Sequence, residues 1–436
     1  MAQRVWHRTA IAAVTAGILA ISGCGAGDDS GNDSGEDGGK VSITLNWWGG
    51  DKRIQLTQQA VAAFEKEHPN IHVDMQYADW GGYWDKLATS IAGGDAPDVI
   101  QMDDKYLAAY SSQGSLLDLS TVSEKLKLDD MDQSVADLGK YDGTQYAVPI
   151  SITPAGIIVN DDLLKEIGVE KPDDTKNWTW DAFAEFDRQI IEKSGGKVRG
   201  SDIFVAGYGL NLYARQHGEE LFDGKTITIS PAVLTDFFTR EKSFIDQGLV
   251  GSADQWAAGF SSTLEQGPFA THETPLTMTQ APMITAHASA AGTDNLSLMI
   301  MPSDSNSKWM YMKPGMYWAI SSKTKHPAEC AELIDFLVNS TEAGSIIGTE
   351  RGIPANNKVR ELAKQSASEL DKKVFDYIDR ITPILGAAPP LTPNGASNID
   401  GVVARYAQAV AFGQQTPADA ANAMIAEIKS EIEGAK

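Results

Sequence analysis

Tryptophan is the residue type whose placement in this chain points most directly to chemistry. Trp47 and Trp48 end an apolar segment, Trp80, Tyr83 and Trp84 sit in the run DWGGYW, and Trp256 lies in a polar stretch before Gly259. Rings beside glycine and aspartate suit sugars: the ring face stacks on C–H groups while carboxylates and amides bond hydroxyls. Trp80 and Trp256 are therefore candidate ligand contacts. Neighbours on a strand face opposite ways, so Trp47 or Trp48, but not both, joins them. Trp84 and Trp180 are expected to pack in the core.

Groups able to break bonds are harder to find. The chain contains no GxSxG nucleophile elbow, no phosphate-binding GxxxxGK[ST] loop and no HExxH. His68 and His72 have a four-residue spacing that would suit a metal on a helix, but Pro69 between them breaks any helix. The pairs Asp103-Asp104 and Asp161-Asp162 are set among 59 acidic residues, so their adjacency carries little information about acid/base work. Nothing here requires catalysis, and no metal or cofactor is expected.

The elements that must position these residues alternate between strand and helix. VSITLNWW places Val41, Ile43, Leu45 and Trp47 on one face, as a half-buried strand does. Leu56, Ala60, Ala63 and Phe64 then recur at helical spacing until His68-Pro69 stops them. IHVDMQY is a second alternating strand, a helix follows over Trp84 to Ile91, and DVIQM is a third strand. This rhythm predicts a parallel α/β sheet with helices on both faces, where ligands gather at strand ends. The middle of the chain, 155–285, is richer in helix, and strand character returns in LSLMIMP and MYWAISS. Cys330, Ile334 and Leu337 share one stripe of the next helix, which makes Cys330 a core thiol. With no internal linker, the lobes are expected to be joined by several crossing strands.

Length and charge bound the rest. A chain of 436 residues, 42% apolar, is comfortable for two domains and can build a real core. Its net charge of −23 disfavours nucleic acid and anionic membrane surfaces as partners. The N-terminus reads as an export signal: Arg4, His7 and Arg8 precede an apolar run from Ala10 to Ile21 that is too short to span a bilayer. Ile21-Ser22-Gly23-Cys24 resembles the lipobox of bacterial lipoproteins, in which cleavage precedes a cysteine that carries lipid. Residues 1–23 would then be the signal and 24–40 the lipidated Cys24 with a tether. Residues 25–39 contain only glycine, alanine, serine, asparagine and acids, which suits a disordered spacer.

The segments WWGGDK, FEKEHPNIHVD, AGGDAPDVIQMD, AVPISITPAGIIVNDDLLKEIGV and YWAISSKTKHPAECAELIDFLV occur in this order behind the lipobox. Taken together, the chain from about Val41 onward resembles the extracellular solute-binding proteins of bacterial ABC importers, in the maltose-binding-protein-like branch. The resemblance implies a type II periplasmic-binding-protein fold, two α/β lobes joined by a multi-strand hinge with a ligand cleft between them. One lobe would be 41–149 plus 286–338, the other 150–285 plus 339–436. It implies ligand contacts at Asp51 and Lys52, at Asp103 or Asp104, at Thr153, at Met283 and at Arg351. Thr153 and Met283 replace a glutamate and a tryptophan of the maltose receptor, which argues against maltodextrin itself. The implied role is a monomeric, lipid-anchored receptor on the outer face of the cytoplasmic membrane. It would deliver a sugar or oligosaccharide to permease subunits, with no cofactor and no catalysis. The competing readings are a secreted lipoprotein hydrolase of polysaccharide and a same-fold receptor for a cationic or peptide solute.

Overall fold

The structure, a computed structural model, describes residues 40–202, 206–260 and 262–435. The expected signal, Cys24 and the tether up to residue 39 lie outside the described residues. Alternation builds the first strand as expected: β1 (Val41–Trp48) buries Ile43, Leu45 and Trp47 completely. Helix α1 (Asp51–Glu67) follows and buries Thr57, Ala60, Val61 and Phe64 on one stripe. β2 (Ile71–Ala78) returns parallel to β1, and α2 (Trp80–Gly93) leads to β3 (Val99–Met102) on the other side of β1. Asp79 caps α2 by accepting from the Gly82 amide at 2.8 Å, and Gly94 ends the helix in the left-handed conformation that glycine adopts without strain. Helix α3 (Asp104–Ser112) starts directly beyond β3.

Two sheets organise the body. The first has the order β2-β1-β3-β9-β4, where β4 is Ala147–Pro149 and β9 is Tyr317–Ile320, and β9 is antiparallel to both neighbours. The second contains β5 (Ala155–Asn160), β6 (Ser201–Asp202), β7 (Leu276–Gln280) and β8 (Leu296–Met299) in the order β8-β5-β7-β6. β5 is buried at all six positions, as a central strand covered on both faces must be. Helix Pro327–Asn339 buries Cys330, Ile334 and Leu337 as the stripe predicted, and burial pushes the Cys330 thiol up to about 12.

The expected division of the lobes needs correction. β8 pairs antiparallel with β5, Leu298 opposite Ile158, so the part of 286–338 that contains β8 belongs to the second sheet, and only from β9 onward does the stretch belong to the first. Conversely, helix Thr341–Ile347 packs on α1, so the chain stays with the first sheet beyond 338. Two segments cross side by side between the sheets, 150–154 outward and 310–316 back. Ile150 donates to the Met316 carbonyl at 2.9 Å, Gly315 to Ser151 at 2.9 Å and Thr153 to Lys313 at 2.7 Å. On the other edge Ile353–Pro354 pairs with Ser151–Ile152, which completes a three-stranded ribbon.

The second lobe buries acid. Glu241, on helix Pro231–Asp246, is buried with Oε2 lacking a partner among the described residues, and burial, opposed by Arg240, pushes its carboxyl up to about 8. Between its ordinary range and about pH 8 the folded protein holds a proton that the unfolded chain has released. This group's contribution therefore favours the fold at low pH and declines as pH rises through that window. Glu241→Gln removes the titration. Its melting temperature is expected to match the parent near pH 4 and to exceed it by a margin that grows up to about pH 8. A pH-independent difference in a thermal melt series would contradict this.

Candidate functional site

Between the two sheets lies a cavity of about 370 Å³, within the size range of small-ligand sites. The first lobe contributes Trp80, Asp103, Asp104, Lys105 and Leu138, and the crossing ribbon contributes Thr153, Tyr311, Lys313 and Gly315. The second lobe contributes Tyr208, Asn211, Phe222, Gln280, Asp400 and the proline-rich stretch Pro389–Thr392. Both walls and the floor are thus supplied by different parts of the chain.

Trp80 forms the aromatic part of the first wall. The residue is 45% exposed, unusual for tryptophan, and its ring stands edge-on against Trp48 at 5.1 Å and Trp84 at 5.5 Å. Trp84 is itself stacked on Tyr106 at 4.0 Å. This backing holds the Trp80 ring in place and leaves one part of it open. A ring fixed in this way loses little freedom when a ligand settles on it.

The end of β3 supplies the acids. Asp103 caps α3, accepting from the Lys105 amide at 3.0 Å, and Asp104 meets Lys313 Nζ at 3.1 Å. Burial and the neighbouring Asp104 charge raise the Asp103 carboxyl to about 7, opposed by Lys313. Burial also pushes Asp104 upward, but Lys313 and a bond from Asp103 outweigh it and hold this carboxyl below its ordinary value. One proton shared between the two acids accounts for the opposite shifts.

Of the expected ligand contacts, Trp80, Asp103, Asp104 and Thr153 face the cavity. Thr153 donates to the Lys313 carbonyl at 3.2 Å, which ties it into the ribbon. The others are placed differently. Trp47 is fully buried, its ring 5.2 Å from Tyr77, and Trp48 stands behind Trp80. Trp256 is buried against Phe260 because both fall on one face of helix Ala253–Gly259 and its end, away from the cavity wall. Asp51 and Lys52 are exposed in the first turn of α1, and Met283 is exposed one short turn beyond Gln280; none of the three lines the cavity. Arg351 is the clearest correction. It is buried, donates to Gln101 and to Thr57 Oγ1, and lies over the Trp318 ring, so it braces the ribbon against the first sheet.

Sequence reasoning missed Lys105, Lys313, Asn211, Asp400 and the tyrosines 208, 311 and 317. The MYMKPG run reads locally as a Pro-Gly turn and no more. Its place at the site comes from β9 running antiparallel to β3, Tyr317 opposite Met102, which sets the start of β9 beside the carboxyl end of β3 where ligands collect. Arg215 fixes the second wall from behind, donating to the Trp309 and Ala387 carbonyls at 2.8 Å each.

An ion pair spans the cavity. Lys105 Nζ on α3 lies 2.6 Å from Asp400 Oδ2 on helix Ile399–Ala411, and Asp400 Oδ1 accepts from the Gly207 amide at 2.8 Å. Lys225 and Asp142 add a rim contact between the lobes at 3.4 Å. Both pairs are partly exposed, so each is worth only ~0.2–1 kcal/mol. Urea unfolding of Lys105→Met, Asp400→Asn and the double variant is expected to give a coupling of that size at low salt. Screening should erase it near 1 M salt. Zero coupling at low salt would show that the lobes do not hold each other there.

The geometry invites comparison with known proteins. Residues 50–343 match the model of the bacterial extracellular solute-binding protein family. The melibiose/raffinose/stachyose-binding protein MelE of Bacillus subtilis is 26% identical over 241 residues, covering 55% of this chain and 50% of that protein. A lipoprotein of Streptomyces antibioticus is 29% identical over 152 residues, 35% of this chain and 33% of its own. The chain therefore aligns with about a third to a half of these curated relatives. Among solved structures, an oligogalacturonide-binding protein from Yersinia enterocolitica superimposes with a TM-score of 0.77 at 26% identity, covering 91% of this chain and 100% of that one. With its two-sheet body, crossing ribbon and inter-lobe cavity, this chain belongs to the bacterial extracellular solute-binding proteins.

Proposed function

We propose that the protein is a receptor that binds a sugar or oligosaccharide between its lobes and hands it to the permease of an ABC importer. The observation that carries this is the pairing of an exposed, backed Trp80 ring with a wall of hydrogen-bonding groups, Asp103, Asp104, Asn211 and Gln280. The ring suits the C–H face of a sugar and the amides and carboxylates suit its hydroxyls. Ligand bridging both walls stabilises the closed arrangement by its differential affinity for it. The lipobox-like ISGC and the acidic spacer support attachment through Cys24 at the outer face of the membrane. Turnover is not part of this reading: Asp103 and Asp104 are adjacent at one end of β3, and the carboxylate across the cavity, Asp400, is held by Lys105 and the Gly207 amide, whereas glycoside hydrolysis needs two carboxyls free to act on either side of the bond to be cut.

A thermal-shift and calorimetry screen over a glycan panel tests this reading. The fitting glycan at ~100 Kd should stabilise the protein by ~2.7 kcal/mol. Trp80→Ala should weaken it at least roughly fivefold, corresponding to ~1 kcal/mol of ring contact. Chromatography of the incubated glycan should show no products; products would favour the hydrolase. Cys24→Ser should release the protein from the membrane fraction without altering affinity, and a variant that still pellets after a high-salt wash would sink the anchor.

A further inference from the structure

We infer that the cleft accepts a non-anionic glycan, neutral or amino-bearing, and excludes uronates, with Asp103 as the residue that sets this preference. The inference rests on the sugar-receptor reading and asks which sugar chemistry the walls admit. Five charged side chains line the cavity: Asp103, Asp104 and Asp400 against Lys105 and Lys313. Each lysine is already engaged. Lys313 Nζ is 3.1 Å from Asp104 and 3.3 Å from the Pro314 carbonyl, and Lys105 Nζ is 2.6 Å from Asp400. Arg215 and Arg351 do not line the cavity and spend their guanidinium groups on Trp309, Ala387 and Glu220, and on Gln101 and Thr57. Among the described residues, neither wall lysine is without a carboxylate partner, so a ligand carboxylate would have to share a cation with Asp104 or Asp400.

Helix N-termini are the usual alternative partners for a carboxylate, and those at the cavity already face acids. At α3 the Lys105 amide bonds Asp103, at helix Gly207–Gln216 the Gly207 amide bonds Asp400, and Asp400 itself sits in the first turn of helix Ile399–Ala411. Asp103 thus holds a place a uronate would use, and the Asp103–Asp104 pair, sharing one proton, keeps a like charge beside it. Burial first, and the neighbouring Asp104 charge second, raise the Asp103 carboxyl to about 7, so this part of the wall is one where added negative charge is poorly tolerated. Asp104 Oδ1 points the same way: it is buried with no hydrogen-bond partner among the described residues, so the wall here has acceptor capacity to spare and no donor to offer a carboxylate.

The test is calorimetry at pH 7 and low salt with raffinose, maltotriose, N,N′-diacetylchitobiose, chitobiose and digalacturonate. At least one of the first four is expected to bind, with digalacturonate at least tenfold weaker. Asp103→Asn keeps a residue that caps helices equally well, so the fold should persist, as a melting curve will verify. That variant should narrow the gap at least threefold. Digalacturonate as the tightest ligand, or an unchanged gap in a folded Asp103→Asn protein, would overturn the inference and leave the receptor reading standing. Silence from the whole panel would instead remove the receptor reading, and the inference with it.

Discussion

Three stretches of backbone meet in the ribbon between the sheets with almost no side chain between them. Ser151 lies in the middle, hydrogen-bonded through its carbonyl to Gly315 and through its hydroxyl to the Arg351 carbonyl. A Cβ on Gly315 would come within 2.5 Å of Ser151 Oγ, and one on Gly352, whose φ is +101°, would reach 3.0 Å. Glycine at both positions is therefore a packing requirement, reinforced at Gly352 by a backbone conformation other residues avoid. A ribbon closed on both edges resists unravelling but can twist, which suits a hinge. The cleft depends on it directly, since Thr153 and Lys313 project from the ribbon into the cavity.

Arg351 shows how the ribbon is anchored. A guanidinium buried this deeply costs free energy unless each donor is satisfied, and burial lowers its pKa to about 9. Gln101 on β3 and Thr57 on α1 accept from it, so the residue ties the third ribbon strand to the first lobe. Lys313 extends the chain of contacts from the ribbon to Asp104 at the mouth of β3. Hinge, acids and α3 are thus joined in one connected polar system through the Lys313–Asp104 contact.

The first lobe was legible because its strands alternate and its helices carry clear stops. Val41–Trp48 and Ile71–Ala78 have the period of 2 that fixes which side chains face inward. The rule put Trp47 in the core, but Trp48 is buried too, behind Trp80, so the alternation did not deliver a ligand contact from this pair. Trp256 was misread because its local polarity suggested a loop. The Ser252–Gln255 capping box, visible in the sequence, marks a helix on which Trp256 and Phe260 share a face. The lobe boundary was misplaced because LSLM is recognisable as a strand while its antiparallel partner in β5 lies more than 130 residues earlier. Lys105 and Asp400 are 295 positions apart, and nothing local to either announces the other. Pattern reveals elements; long-range pairing reveals the site.

Small-angle X-ray scattering of the body from Lys40 onward, with and without a saturating glycan, measures hinge closure most directly. Binding accompanied by a smaller radius of gyration, and by loss of that change when a bulky side chain replaces Gly315, is the expected result. Tight binding with an unchanged radius of gyration in a protein whose free form is open would contradict closure about the ribbon.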